Sequence, residues 1–135
     1  MNHNKKTVPT IMERKNSSKK IVALTAYDYS FSRLLDATDL DIILVGDSLA
    51  MVSLGHDTTL PVSMEEMIMH TRAVSKGCHN ALLVADMPFM SYQVSDEQAI
   101  QLTSNGHVYA PKSLLKGLTE HFINTELSGS KLKRV

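Results

Sequence analysis

The segments Leu44-Val45-Gly46-Asp47-Ser48 and Leu83-Val84-Ala85-Asp86-Met87-Pro88-Phe89 decide the fold of this chain. Each is an apolar run with β-branched residues that ends at an aspartate and then turns. Such a run is typical of a parallel strand that is buried on both faces. In α/β folds, ligands bind at the carboxyl ends of these strands. The pattern therefore predicts that Asp47 and Asp86 lie together at the functional edge of a parallel sheet.

The residues before these strands continue the alternation of strand and helix. Residues 21–25 form another short apolar run of strand type. After it, Ser30 is predicted to cap a helix in which Phe31, Leu34 and Leu35 share one face. Strands and helices alternate at roughly thirty residues per unit, the length of a strand-helix-strand motif. This order predicts a parallel α/β sheet with right-handed crossovers.

Capping signals predict where the other helices begin and end. Ser63-Met64-Glu65-Glu66 is a capping box, in which the serine hydroxyl and the last glutamate each accept a hydrogen bond from the other's backbone N–H. The helix that it starts is predicted to end at Gly77, which would act as the C-terminal cap. Ser95-Asp96-Glu97-Gln98 predicts a further helix start of the same kind. A short helix is predicted near Val8, and residues 46–61 are predicted to form a long loop.

Length, charge and cysteine content exclude several classes of protein. The chain has 135 residues, 43% of them hydrophobic, and its 14 basic residues balance its 14 acidic residues. Because this balance produces no global field, neither nucleic acid nor a membrane is expected as a partner. Cys78 is the only cysteine, which excludes an internal disulfide and fits a reducing compartment. With no apolar run of about 20 residues, the chain is expected to be a soluble cytoplasmic protein.

Five segments of the chain resemble ketopantoate hydroxymethyltransferase, also called 3-methyl-2-oxobutanoate hydroxymethyltransferase. They are Thr25-Ala26-Tyr27-Asp28, Leu44-Val45-Gly46-Asp47-Ser48, Gly55-His56-Asp57-Thr58-Thr59-Leu60-Pro61-Val62, His70-Thr71-Arg72-Ala73-Val74 and Val84-Ala85-Asp86-Met87-Pro88-Phe89-Met90-Ser91-Tyr92. These segments occur in the family's order and cover residues 7–102, about the N-terminal third of that enzyme. The resemblance implies an α/β fold, the N-terminal part of a (β/α)8 TIM-type barrel.

The resemblance also divides the chain into three parts. Residues 1–20 are an N-terminal arm with a short helix, and residues 21–102 are a partial barrel of about three βα units. Residues 103–135 are a tail outside the family pattern that is expected to be partly helical. Since a complete barrel takes roughly 250 residues, the chain is expected to be truncated before closure, with unpaired strand edges. The family forms homo-oligomers, so the chain is expected to need other subunits or a complementary fragment.

The reaction and its site are further implications of the resemblance. The family transfers a hydroxymethyl group from 5,10-methylenetetrahydrofolate to 3-methyl-2-oxobutanoate, which gives 2-dehydropantoate for pantothenate biosynthesis. Carried over by position, Asp47 and Asp86 bind Mg²⁺, and Asp47, Ser48 and Asp86 contact the oxo acid. A 2-oxo acid chelates a hard cation through its carboxylate and ketone oxygens. Magnesium commonly takes only one or two protein carboxylates, so these assignments agree with its chemistry.

The family's lysine, its glutamate near the metal and its proposed general base lie beyond the matching segment. Lys112 and Glu120 stand in an unrelated context, and no role is carried onto them. No catalytic residue is therefore assigned, and this chain alone is expected to turn over little or nothing. Two alternatives stay open. One is a non-enzymatic fragment that interacts with other chains, and the other is a magnesium-dependent oxo-acid barrel of the phosphoenolpyruvate mutase and isocitrate lyase group.

Several residues of these motifs also have a purely structural interpretation. An aspartate in a Gly-Asp-Ser turn usually accepts hydrogen bonds from nearby backbone N–H groups. Tyr27 and Asp28 are interpreted as residues that shape the first βα loop. His56 and His70 are interpreted as a loop contact and a helix contact, and Cys78 as an ordinary thiol. None of these five residues is assigned to the site.

Overall fold

The computed structural model of the chain describes residues 5–15 and 17–91. The elements in chain order are α1 (Val8–Lys15), β1 (Ala23–Thr25), α2 (Tyr29–Asp36), β2 (Ile42–Val45), α3 (Leu49–Val52), α4 (Met64–Ser75) and β3 (Leu82–Ala85). The helix predicted at residues 95–98 and the tail at residues 103–135 lie outside the described residues. None of the helices within these ranges is both long enough and apolar enough to cross a bilayer.

The strands form one parallel sheet in the order β1-β2-β3. Leu24 pairs with Ile43, and Ile43 pairs with Leu83, so the register runs straight across the sheet. Parallel neighbours need a crossover connection, and α2 and α4 lie in the two connections. The predicted parallel α/β sheet of three strands is therefore confirmed.

The main apolar core lies between one face of the sheet and the helices of the crossovers. Alternate residues of a strand point to opposite faces. On this face, Ile43 and Val45 of β2 are fully buried, as are Met67 and Val74 of α4. Each such side chain contributes about 1.5–3 kcal/mol when it is removed from water. This cluster holds β2 at the centre of the fold.

Helix α1 covers the opposite face of the sheet. Its residues Val8 and Ile11 are buried against Leu82, with Ile42 and Val84 packed around them. Ile42 alternates with Ile43 along β2, so it points away from the main core. The short helix predicted near Val8 is confirmed as an eight-residue helix, and its apolar side covers this face of the sheet.

A buried carboxylate fixes α1 to the start of β2. The Asp41 side chain is only 1% exposed, and its carboxylate forms ion pairs with Arg14 and with Lys6, the latter at 3.2 Å. The Val22 backbone N–H donates to its second oxygen at 3.0 Å. Burial raises the pKa of Asp41, but the Val22 N–H and the two cations hold it below its usual value. The charge is therefore fully compensated at the amino edge of the sheet.

Helix α2 begins at a different residue from the one predicted. Its N-cap is Asp28, which has extended backbone angles of φ −142° and ψ 169°. The carboxylate of Asp28 accepts a hydrogen bond from the Phe31 N–H at 2.8 Å. The prediction that Ser30 caps this helix was wrong, because Ser30 already lies inside the first turn. Both residue types are good caps, and sequence alone does not choose between them.

The face that α2 buries also differs from the prediction. Phe31 and Leu34 are 50% and 69% exposed, and Leu35 alone of the predicted apolar face packs against the main core. The helix instead buries Ser32, whose hydroxyl donates to the Val74 carbonyl at 2.9 Å. The prediction failed because a buried hydroxyl that bonds to backbone leaves no trace in apolar periodicity.

Asp36, the last residue of α2, holds the turn before β3. Its carboxylate accepts hydrogen bonds from the backbone N–H groups of His79, Asn80 and Ala81 at 2.9–3.0 Å. The Asn80 side-chain amide also donates to it at 3.0 Å. Burial raises the pKa of Asp36, but the N–H groups of Ala81, His79 and Asn80 bring it below its usual value. The Asp36 carboxylate therefore satisfies all three of these backbone N–H groups in the turn.

Helix α4 begins as predicted. The Ser63 hydroxyl accepts from the Glu66 N–H at 3.2 Å, and the Glu66 carboxylate accepts from the Ser63 N–H at 2.8 Å. The capping box is therefore confirmed. The predicted long loop over residues 46–61 is only partly correct, because the four-residue helix α3 lies within it.

Gly77 has a different role from the predicted cap. The C-cap of α4 is Lys76, and Gly55, with a φ of 76°, is the only described glycine that has a positive φ. A Cβ atom at Gly77 would lie 2.8 Å from both the Arg33 nitrogen and the Tyr29 carbonyl oxygen. Glycine is therefore needed here so that the backbone of α2 can approach the end of α4.

We expect the Cys78 thiol to be unreactive while the chain is folded. It is buried, and burial together with nearby Asp36 raises its pKa to about 11 from 9.0. Because the thiolate is the nucleophile, a thiol reagent should modify the folded chain at least ~100-fold more slowly than the chain in urea. Rates followed by absorbance with an aromatic disulfide reagent test this. Equal rates in the two conditions would contradict it.

Candidate active site

Three polar side chains follow the carboxyl ends of the three strands. Tyr27 lies two residues beyond β1, Asp47 lies two residues beyond β2, and Asp86 comes directly after β3. The Asp86 N–H donates to the Val45 carbonyl at 2.8 Å, which extends the sheet ladder by one bond. The carboxyl edge of the sheet therefore carries both predicted aspartates.

Asp86 is partly buried, and its charge is poorly compensated. Burial raises the pKa of its carboxyl group, and the nearby Asp47 carboxylate raises it further. The N–H groups of Met87, at 2.9 Å, and of Asp47 lower the pKa, but the net shift is upward. The two carboxylates therefore repel each other across this edge, and a cation held between them would relieve that repulsion.

The Ser48 hydroxyl is turned toward Tyr27. Its Oγ lies 2.8 Å from the Tyr27 hydroxyl oxygen. Ser48 occupies the N-cap position of α3 but makes no side-chain cap hydrogen bond. Gly46 leaves room for this rotamer, since a Cβ there would lie 3.0 Å from the Ser48 Oγ. The three residues Gly46, Asp47 and Ser48 therefore form one turn that presents a carboxylate and a hydroxyl at the same edge.

The donor set at this edge fits magnesium that shares its coordination with a ligand. Among residues 5–15 and 17–91, no group of three or more His, Cys, Asp or Glu residues is placed to hold a metal. Asp47 and Asp86 instead provide a pair of carboxylates. Magnesium is commonly held by one or two carboxylates, with water and substrate oxygens in the other positions. Such a pair of carboxylates suits magnesium better than it suits a metal ion that takes all of its ligands from the protein.

The structure connects residues that sequence reasoning kept apart. His70 contacts the Tyr27 carbonyl oxygen through Nδ1 at 2.6 Å, and His56 lies on the exposed surface after α3. His70 is thus a helix residue that contacts the first βα loop, in agreement with its structural interpretation. The link from Tyr27 to Ser48 was missed, because no local motif joins them. Only the register of β1 against β2 brings these two turns side by side.

Replacement of Asp86 by asparagine is expected to stabilise the metal-free chain at neutral pH. Asparagine keeps an oxygen that can accept from the Met87 N–H but removes the charge that burial and Asp47 disfavour. A gain of about 1 kcal/mol in the free energy of unfolding is expected, the usual size when a strained functional group is removed. Urea unfolding with a chelator present measures it. Asp57→Asn, the same charge change on an exposed loop, should have no comparable effect, and a less stable Asp86→Asn variant would contradict the prediction.

A parallel sheet with carboxylates at its carboxyl edge defines an α/β protein of the class that binds ligands at strand ends. The family profile described as ketopantoate hydroxymethyltransferase matches residues 5–108. The chain belongs to the ketopantoate hydroxymethyltransferase family, a family of one-carbon transferases. This match favours that family over the phosphoenolpyruvate mutase and isocitrate lyase group.

Relatives named 3-methyl-2-oxobutanoate hydroxymethyltransferase align with the same part of the chain. The protein from Magnetococcus marinus is 56% identical over 94 residues, which are 70% of this chain and 35% of the relative. The protein from Synechococcus elongatus is 58% identical over 86 residues, 64% of this chain and 32% of the relative. The protein from Caldicellulosiruptor bescii is 50% identical over 98 residues, 73% of this chain and 37% of the relative. The chain thus spans about a third of the length of the curated relatives that it matches.

Proposed function

We propose that the carboxyl edge of this sheet binds Mg²⁺ and a 2-oxo acid for hydroxymethyl transfer. The reaction is the transfer from 5,10-methylenetetrahydrofolate to 3-methyl-2-oxobutanoate that gives 2-dehydropantoate. The observation that carries the proposal is the pair of strand-end carboxylates, of which Asp86 has a pKa raised by burial and by Asp47. The names of the relatives support the choice of reaction.

Each described residue of the site has a defined task in this proposal. Asp47 and Asp86 hold the cation, whose charge offsets their mutual repulsion. Ser48, adjacent to Asp47, donates a hydrogen bond to the carboxylate of the oxo acid, and Tyr27 fixes the Ser48 rotamer. When bound, Mg²⁺ would polarise the ketone and stabilise the negative charge that develops as the neighbouring carbon loses its proton.

The described residues supply binding and orientation but no assigned base. Asp47 and Asp86 are committed to the cation, and His70 donates from Nδ1 to a backbone carbonyl. We therefore propose that the chain alone binds substrate better than it turns substrate over. The proposed partners are the 2-oxo acid and the folate, with further copies of the chain or a complementary fragment. The proposed location is the cytoplasm, which the single thiol of Cys78 supports.

Thermal unfolding with ligands tests the binding part of the proposal. Mg²⁺ with 3-methyl-2-oxobutanoate should raise the Tm of the chain, and the Asp47→Ala and Asp86→Ala variants should lose this shift. Replacing the oxo acid by 3-methylbutanoate, which lacks the ketone, should also abolish the shift, since that acid cannot chelate. Asp57→Ala, on an exposed loop, is the matched control and should keep it. An equal Tm shift in all four proteins would contradict the site.

Product analysis tests the catalytic part. Formation of 2-dehydropantoate from the two substrates is compared with the variant in which both Asp47 and Asp86 are alanine. We expect product at or near the level of this variant for the chain alone. Product clearly above it would show that the chain is an independent enzyme. Ligand binding without product is the expected result for the chain alone, whereas magnesium-dependent product would reject the non-enzymatic alternative.

A further inference from the structure

The His70 ring is held by a single hydrogen bond to the first βα loop. Its Nδ1 lies 2.6 Å from the Tyr27 carbonyl oxygen. A carbonyl only accepts, so Nδ1 must carry the proton. The other ring nitrogen, Nε2, is buried and has no hydrogen-bond partner in the described part of the chain. The orientation of the imidazole therefore depends on Tyr27.

The Tyr27 carbonyl depends on His70 to the same degree. The first carbonyl of α2 to be used is that of Asp28, which accepts from the Ser32 N–H at 3.1 Å. The Tyr27 carbonyl lies just before it, outside both β1 and α2, and His70 is its hydrogen-bond partner within residues 5–15 and 17–91. Without this donor, the peptide that follows Tyr27 would lose the contact that fixes its plane.

The other end of Tyr27 reaches the candidate site. Its hydroxyl oxygen lies 2.8 Å from the Ser48 Oγ, and Ser48 makes no capping bond to α3 that could hold it otherwise. A phenol is a stronger acid than an alkyl hydroxyl, so Tyr27 is the better donor of the pair. When Tyr27 donates, the hydroxyl hydrogen of Ser48 stays available for another acceptor.

We propose that His70 is a positioning residue that acts through Tyr27 to direct the Ser48 hydroxyl hydrogen toward the carboxylate of the bound 2-oxo acid. The inference rests on the proposed function for the identity of that acceptor. Two hydrogen bonds connect these residues, one from the His70 Nδ1 to the Tyr27 backbone and one between the Tyr27 hydroxyl and Ser48. His70 lies on α4 and Ser48 is the N-cap residue of α3, so the two hydrogen bonds link two parts of the β2–β3 connection through Tyr27, which lies in the β1–β2 connection.

Substitutions of His70 distinguish a positioning role of its side chain from a space-filling role. Asparagine places its amide nitrogen close to where Nδ1 lies, so His70→Asn can still donate to the Tyr27 carbonyl. Glutamine carries its amide one carbon further out, so His70→Gln fills space without that bond. A purely space-filling role would be served by glutamine at least as well as by asparagine. We therefore expect the Tyr27 resonance and the substrate affinity of His70→Asn to stay close to those of wild type, and those of His70→Gln to differ clearly.

NMR spectroscopy of the ligand-free protein tests the contacts among His70, Tyr27 and Ser48 directly. In protein with ¹³Cζ-labelled tyrosine, Ser48→Ala should move the Tyr27 resonance. His70→Gln should move it as well, whereas His70→Asn should leave it near its wild-type position. Long-range ¹H–¹⁵N correlation should show the proton of His70 on Nδ1. A proton on Nε2 alone, or a Tyr27 resonance indifferent to His70→Gln, would overturn the inference.

Binding of 3-methyl-2-oxobutanoate at saturating Mg²⁺ tests the consequence for substrate. Tyr27→Phe and His70→Gln should each weaken binding about fivefold, the size expected for one hydrogen bond. Because both act on the same hydroxyl, the double variant should bind no more weakly than either single variant. Affinity for Mg²⁺ alone should be unchanged. Tyr29→Phe, which removes an exposed hydroxyl on α2, is the matched control and should bind as wild type.

The NMR measurement and the binding measurement together distinguish failure of the inference from failure of the proposed function. If losses in the double variant multiply to about 25-fold, His70 acts independently of Tyr27 and the inference is wrong. If the wild-type chain binds no 2-oxo acid at all, the proposed function fails. In that case the inference is wrong as well, because it names the oxo acid as the acceptor. The ¹³Cζ resonance of Tyr27 still reports whether the contacts among His70, Tyr27 and Ser48 exist.

Discussion

Replacement of Gly77 by alanine is expected to lower the free energy of unfolding by about 3 kcal/mol, the upper end for an overpacked contact. The added methyl group would lie 2.8 Å from two backbone atoms of α2, the Arg33 nitrogen and the Tyr29 carbonyl oxygen. Backbone atoms cannot rotate away as a flexible side chain can. The two helices must therefore move apart, which also disturbs the hydrogen bond between Ser32 and Val74.

Urea unfolding measures this loss, and Gly55 provides the control. A Cβ at Gly55 would meet nothing within 4 Å, but the residue has a φ of 76°. Asparagine tolerates this left-handed conformation, so Gly55→Asn should cost much less than Gly77→Ala. A loss for Gly77→Ala no larger than that for Gly55→Asn would show that the close approach of α2 to Gly77 does not carry the stability assigned to it.

Replacement of Asp36 by asparagine is expected to cost about 3 kcal/mol at neutral pH. The carboxylate accepts from the backbone N–H groups of His79, Asn80 and Ala81. Asparagine presents one oxygen and one NH₂ group, so at least one of these backbone donors would face another donor. Hydrogen bonds to a charged acceptor are also stronger than those to a neutral amide.

The effect of Asp36 should depend on pH in a defined direction. The pKa of Asp36 in the folded chain lies below its usual value of 3.8. Its ionised form therefore stabilises the fold above pH 3.8, and this contribution is lost as the pH falls through the folded pKa. The stability difference between wild type and Asp36→Asn should be full at pH 7 and should shrink as the pH falls below 3.8.

Asp39→Asn is the control for the loss of one negative charge in the same region. The Asp39 side chain is 97% exposed and pairs with Lys6 at the surface. Exposed ion pairs contribute little, so the unfolding midpoint of this variant should stay close to that of wild type. If Asp36→Asn behaves like Asp39→Asn at pH 7, the hydrogen bonds to the turn before β3 do not carry the stability assigned to them.

Two features that depend on neighbouring residues were predicted correctly from the sequence. The capping box at Ser63 and Glu66 is a local exchange of hydrogen bonds three residues apart. The apolar runs before Asp47 and Asp86 likewise identify two buried strands, and parallel pairing then puts both carboxylates on one edge. In each case the physical cause lies within a few residues of the pattern that reports it.

Features that depend on distant residues were not predictable. Asp36 satisfies N–H groups that lie more than 40 residues later in the chain. Gly77 is small because of the backbone of α2, although its position after a helix suggested a cap. The contact between Tyr27 and Ser48 follows from strand register, and neither residue has a signal for it. The sequence thus predicted the edge on which the two carboxylates lie but not the contact between Tyr27 and Ser48.

The consecutive order of the strands has a kinetic consequence. Ala23 pairs with Ile42, about 20 residues away, and Ile42 pairs with Leu82, about 40 residues away. Sheets made from near neighbours in the sequence lose less entropy on loop closure and fold faster than sheets that join distant segments. Each strand is also added in the order of synthesis. The turns with Tyr27 and Ser48 are therefore both synthesised before Asp86, and the pairing of their strands closes the shorter of the two loops in the sheet.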